Sequence, residues 1–159
     1  MKVSDFLDPG AVVSDLKGAN KKEVLEELCA ALVALHPTLD RDKMVGILLD
    51  RERLGSTGVG EGVAIPHGKM IDLEGIMACF GRSGRGVEFG AVDDRPVCLF
   101  FVLFAPENSA GMHLKALAKI SRLLKRPSVR EELMQAPSKK EIFGILTQDD
   151  GEELQVSGS

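Results

Sequence analysis

Apolar residues first recur at helical spacing after Asn20, where Val24, Leu25, Leu28, Ala31, Leu32 and Leu35 share one face. The Asn20 side chain suits an orphan N–H, and Glu23 three residues later completes a capping-box pattern. The spacing therefore predicts a helix from Asn20 to His36-Pro37. Asp40 predicts the cap of a second helix with Met44, Ile47 and Leu48 on its apolar side. Residues 11–13 predict an edge strand, and Val63-Ala64-Ile65 a short buried strand ending in Pro66-His67. Residues 75–80 predict another strand, whereas residues 82–90 carry turn chemistry and Asp93-Asp94-Arg95 is a further turn. Residues 97–104 are apolar on both faces, which places that strand at the centre of a covered sheet.

Beyond Pro106 a polar loop leads to a helix predicted over 111–125, with Leu117, Ile120 and Leu124 as its core stripe. Lys115, Lys119, Arg122 and Arg126 form a basic stripe on another face. Pro127 breaks that helix, and a short one follows to Met134. Ser138 with Glu141 predicts a last capped helix, with Ile142, Phe143 and Leu146 facing inward. Helices on both sides of a mixed sheet make a three-layer α/β/α sandwich. The expected organisation is one domain over 1–148 and a flexible acidic tail over 149–159.

Charge sharpens this division. The chain of 159 residues has a net charge of −4. Asp149, Asp150, Glu152 and Glu153 account for it, because acidic and basic residues otherwise balance at 20 each. The lack of a basic excess argues against nucleic-acid binding. The longest apolar run, 97–105, is far shorter than the roughly 20 residues of a membrane span, and MKVSDFLDPG lacks a secretion core. A cytoplasmic protein without membrane insertion is expected. Cys29, Cys79 and Cys98 are odd in number and set among apolar neighbours, as buried free thiols are.

Glycine at 55, 58, 60 and 62 marks the first candidate for chemistry. Gly55 and Gly60 have P-loop spacing, but Glu61 stands where the phosphate-binding lysine belongs, so the P-loop is rejected. The dinucleotide pattern fails at Val63. The segment reads as a flexible turn or as a source of backbone N–H groups for an anion. His67, between Pro66 and Gly68, suits a base, a nucleophile or a metal ligand, or is simply a polar strand end. His113 lies four residues before Leu117 and so points toward the core stripe; on its own it reads as a satisfied, half-buried histidine. No ligand spacing for a metal is evident, and Ser56 is not in a nucleophile elbow. Arg51 alone reads as a helix-terminal arginine on the last carbonyls.

Taken together, Arg51-Glu-Arg-Leu-Gly-Ser-Thr-Gly-Val-Gly-Glu-Gly-Val-Ala-Ile-Pro-His67-Gly-Lys69 resembles the active-site signature of the EIIA type-2 domains. These are the fructose, mannitol and nitrogen-regulatory branches of the bacterial phosphoenolpyruvate-dependent phosphotransferase system. The likeness extends through the 96–106 strand, His113-Leu114 and the helix that follows, covering residues 1–148. The wording RERLGSTG…IPHGK most resembles the stand-alone nitrogen-regulatory proteins. The resemblance implies that His67 accepts a phosphoryl group from the phosphocarrier HPr, with His113 and Arg51 as the other catalytic residues. Ser56, Thr57 and Glu61 are the implied phosphate-binding positions. Nitrogen-regulatory members often carry Asn where this chain has Glu61. No cofactor and no metal is required.

Two roles follow. In one, phosphorylation of His67 changes which target proteins the chain binds, because a phosphate adds charge and acceptor oxygens. In the other, the chain donates the phosphoryl group to the cysteine of an EIIB domain during sugar uptake. A third reading, an anion-binding domain without transfer, is opposed by the intact Arg51, His67 and His113 set. The basic stripe is a solvated face or a docking surface for an acidic partner.

Overall fold

The computed structural model describes residues 1–151. A 3-10 turn (Val3–Asp5) leads into β1 (Leu7–Val13), then α1 (Lys21–Leu35) and α2 (Arg41–Arg53). Four strands follow: β2 (Gly58–Gly60), β3 (Val63–Ala64), β4 (His67–Met70) and the long β5 (Met77–Val87). The chain closes with β6 (Val97–Pro106), α3 (Ala110–Leu124), α4 (Pro127–Gln135) and α5 (Lys139–Leu146). The helices begin where their caps predict. Asn20 accepts from the Glu23 N–H at 2.9 Å, Asp40 from Lys43 at 3.2 Å and Ser138 from Glu141 at 3.3 Å. The Glu23 carboxylate reaches back one residue beyond the cap, to the Ala19 N–H.

The sheet runs β1-β5-β6-β3-β2, with β4 also on β6. It is mixed: β1 is parallel to β5, β5 antiparallel to β6, and β3 and β4 parallel to β6. β6 is central and its residues Leu99 to Ala105 are all buried, as its two-sided apolar pattern requires. Phe101 packs edge-on against Phe80 and Phe6, with centroids at 5.9 and 6.5 Å, while Phe100 meets Phe89 at 5.4 Å.

Neighbouring residues of a strand face opposite ways, and this fixes the layers. Gly81 lies under Leu28 of α1, while the Arg82 guanidinium donates to the carbonyls of Leu133 and Ala136 at the end of α4. Gly68 lies under Ile47 of α2, while His67 faces α3. Hence α1 and α2 cover one face and α3 and α4 the other, with α5 beside α4 and against β1.

Two expectations change. β5 continues through Arg82 to Val87, where turn chemistry predicted a turn. Its pairing with β6 slips between Arg82↔Leu99 and Val87↔Val97, so the Ser83-Gly84-Arg85-Gly86 stretch is a bulge inside a strand, with Gly86 at φ +80°. The strand predicted to end at His67 also continues. Val63 pairs with Leu99 and His67 with Leu103 at one offset, so β3 and β4 are one line interrupted at Ile65-Pro66. Pro66 cannot donate, but its carbonyl still accepts from the Leu103 N–H at 2.9 Å.

Two acidic residues assigned to the tail contact the body. Asp150 accepts from the Val3 N–H at 2.9 Å and from the Ser4 hydroxyl at 2.9 Å, and Asp149 pairs with Arg126 at 2.7 Å. The rest of the expected tail, 152–159, lies outside the described residues. Cys29 and Cys79 are buried and Cys98 is half-buried, all as free thiols. Burial pushes the Cys29 thiol up to about 12 and raises those of Cys79 and Cys98. Among the described residues no helix is long and apolar enough to cross a membrane.

Candidate phosphoryl-transfer site

Three elements converge on His67. β4 places it at the first residue after Pro66, the last turn of α2 brings Arg51, and the first turn of α3 brings His113. The His67 Nδ1 lies 2.8 Å from the Ile65 carbonyl oxygen. A carbonyl only accepts, so Nδ1 carries the proton and Nε2 holds the lone pair. Arg51 confirms this tautomer from the other side, because its Nε donates to His67 Nε2 at 3.3 Å. Its Nη1 donates to the Gly55 carbonyl at 2.9 Å, which ties the guanidinium to the end of its own helix. Arg51 therefore bonds one carbonyl just past the end of its helix and reaches His67 as well.

The His67 and His113 rings stand edge to face with centroids 5.4 Å apart. His113 is buried, and its Nε2 has no hydrogen-bond partner among the described residues. A buried polar atom without a partner is costly, by roughly 1–3 kcal/mol, which fits an atom kept for a ligand. Where the sequence alone reads as a satisfied, half-buried histidine, His113 is buried and its Nε2 is unsatisfied. Burial lowers the His67 pKa, and the Arg51 charge adds to that; the Ile65 carbonyl and Glu52 oppose it. His113 is likewise lowered, by burial first and then by His67 and Lys69. Both imidazoles are held toward their neutral forms.

The rings sit in an open basin of about 750 Å³. Its rim is apolar, with Leu54 84% and Leu114 68% exposed. Exposed leucines beside a shallow reactive group suit docking of another protein. Lys69 also lines the basin. It lies two residues past His67 on a strand and therefore on the same face. Spacing alone signalled this, although no role was assigned to it. The Ile65 carbonyl had no sequence signal at all.

Ser56, Thr57 and Glu61 do not line the basin. The Ser56 hydroxyl donates to the Phe89 carbonyl at 2.9 Å. Thr57 is buried, with its N–H and hydroxyl both bound to the Glu52 carboxylate. Glu52 is itself buried and faces Lys21 at 3.4 Å, and the Lys21 ammonium rests over the Phe89 ring. The glycine-rich segment after α2 is thus pinned by a buried carboxylate that the sequence reading passed over. Glu61 belongs to the β2–β3 hairpin. Glu61 and Gly62 have φ of 58° and 76°, the two-residue turn that favours Asn-Gly. Glutamate in that conformation costs about 1 kcal/mol. Asp93 holds its N–H at 2.9 Å, and its carboxylate faces Arg95 at 3.7 Å and Arg130 at 3.9 Å.

This arrangement offers a neutral, oriented imidazole lone pair beside a guanidinium and an unpartnered imidazole nitrogen. It is suited to attack on phosphorus, where positioning and charge stabilisation dominate. Known proteins agree. The family model for the phosphoenolpyruvate-dependent sugar phosphotransferase system, EIIA 2, matches residues 5–149. The nitrogen regulatory protein of Bradyrhizobium diazoefficiens is 41% identical over 146 residues, covering 92% of this chain and 95% of that protein. The fructose-specific EIIA component of Haloferax volcanii is 36% identical over 130 residues, covering 82% and 84%. The crystal structure of nitrogen regulatory protein IIA-Ntr from Neisseria meningitidis superposes with a TM-score of 0.85 at 37% identity, covering 91% and 99%.

Proposed function

Because the chain belongs to the EIIA type-2 family of the phosphoenolpyruvate-dependent phosphotransferase system, we propose that it is a phosphocarrier that accepts a phosphoryl group from phospho-HPr on His67 Nε2. The observation that carries this reading is the pair of contacts on one ring. Ile65 holds the proton on Nδ1, and the lone pair of Nε2 faces Arg51.

In the transfer, His67 Nε2 forms a new P–N bond while the P–N bond to the donor's histidine breaks. The donor imidazole leaves with that electron pair. Positive charge then develops on the His67 ring and is shared with Nδ1–H, where the Ile65 carbonyl meets it at 2.8 Å. Arg51 exchanges its contact with Nε2 for one with a phosphoryl oxygen, a match for its planar fork. His113 donates a hydrogen bond from its unpartnered Nε2 to a second oxygen, in the tautomer with its proton there.

The role that follows is regulatory, of the nitrogen-regulatory type: phosphorylation at His67 changes the apolar, cationic face that target proteins meet. Relatives of matching length with that name support it. The second reading, donation to an EIIB cysteine in sugar uptake, is supported by the fructose-specific relative, which is also covered over most of its length. The test is transfer from the phosphorylated chain. Retention of the phosphoryl group in the presence of fructose- and mannitol-type EIIB domains supports regulation, and rapid loss to an EIIB cysteine supports uptake. His113→Ala is expected to slow acceptance while leaving it detectable.

A further inference from the structure

A second cavity, of about 350 Å³, shares no lining residue with the His67 basin. Both lie along one side of α3. Leu117 lines the basin, and Ser121 and Leu124, four and seven residues on, line the second cavity. Ser121 is roughly 12 Å along the helix axis from His113. Val63, Ile65 and Leu124, all buried, supply an apolar lining. Glu61, Lys125 and Arg130 supply the charges.

Those charges are unbalanced. The Lys125 ammonium has no hydrogen bond or ion pair among the described residues. Arg130 is fixed in place, because its Nη1 donates to the Leu124 carbonyl at 3.0 Å and the Lys125 carbonyl at 2.7 Å. Its Nη2 is 3.9 Å from Glu61, beyond hydrogen-bond range, and Glu61 is shared with Arg95. An entering anion therefore meets the Lys125 ammonium, shares Arg130 with Glu61 and breaks no hydrogen bond. Glu61 holds a left-handed turn position that Asn would fill with less strain. A volume in the range of small-ligand sites, an apolar lining and a few convergent charges are what a binding pocket requires.

We propose that this cavity binds a small organic carboxylate with an apolar body, its carboxylate at Lys125 and Arg130 and its body against Val63, Ile65 and Leu124. The ligand acts on His67 through Ile65. That residue lines the cavity, and its carbonyl accepts the His67 Nδ1 proton. Binding itself is independent of the proposed phosphoryl transfer; only the effect on transfer rests on it.

The test is a nitrogen–proton NMR titration of the whole chain with 4-methylpentanoate and phenylacetate, and with neutral 4-methylpentanamide as control. Saturable shifts are expected at Glu61, Ile65, Ser121 and Lys125. Lys125→Gln, an exposed substitution that leaves the spectrum folded, is expected to weaken binding at least about tenfold. The proposal is overturned if neither acid gives saturable shifts up to about 10 mM, if the amide binds as well, or if Lys125→Gln binds undiminished. In a second arm, the acids change the rate of phosphoryl acceptance by wild type but not by Lys125→Gln, whose basal rate is unchanged. Saturable binding with no effect on the rate overturns the Ile65 link. A chain that binds the acids yet never accepts a phosphoryl group removes the proposed transfer and leaves the cavity assignment standing.

Discussion

Arg51 Nε donates to His67 Nε2 at 3.3 Å, joining the last turn of α2 to the first residue of β4. The same guanidinium is anchored on the Gly55 carbonyl, so its reach is fixed before any phosphate arrives. Arg51→Lys keeps the charge and loses the fork. Phosphoryl acceptance should fall about 100-fold, the scale seen when one preorganised donor is removed. A wild-type rate in a stopped assay would reduce Arg51 to a helix cap.

The pH dependence follows from burial. The His67 and His113 pKa values both lie below the ordinary imidazole value of 6.5. Acceptance should therefore be flat through neutral pH and fall at a midpoint below 6.5. Stability has the same sign. Between 6.5 and the lowered folded values the unfolded chain binds more protons, so stability declines as pH falls across that window. An imidazole NMR titration with His67 at or above 6.5 would contradict this.

Gly68 is required by packing. A methyl group there would overlap Ile47 Cγ2 on α2, although its backbone does not demand glycine. Gly68→Ala should cost about 1–3 kcal/mol by overpacking and displace α2, and with it Arg51. Adding Ile47→Ala should recover part of both stability and phosphoryl acceptance. Denaturant melts that show the two losses simply adding would remove the steric explanation.

Glu52 is the buried carboxylate on which the glycine-rich segment hangs, through the Thr57 N–H and hydroxyl and through Lys21 at 3.4 Å. Glu52→Ala strands all three partners and should cost about 3 kcal/mol. Glu52→Gln keeps an acceptor for Thr57 and should cost less. Equal costs in urea unfolding would mean that the charge opposite Lys21 matters more than the Thr57 contacts.

Much of this was legible in the chain, and the failures have physical causes. The caps at Asn20, Asp40 and Ser138 read correctly because capping is local chemistry. The two-sided apolar run read correctly as the central strand β6. Arg51, His67 and His113 converge as the family resemblance implies. Residues 82–87 misled because bulges and turns use the same glycine and serine. Ser56, Thr57 and Glu61 lie outside the basin, held by Phe89, Glu52 and Asp93, tertiary partners that a glycine-rich run does not announce. The Ile65 carbonyl that sets the His67 tautomer is main chain, and no residue type announces it.

The most direct test is intact mass and phosphorus–nitrogen NMR after incubation with phosphoenolpyruvate, enzyme I and HPr, on wild type and His67→Ala. The expected result is one acid-labile phosphoryl group, bonded to His67 Nε2 and absent from the variant. No gain with donors that phosphorylate another EIIA, labelling that persists in His67→Ala, or a phosphoryl group on Nδ1 would contradict the account.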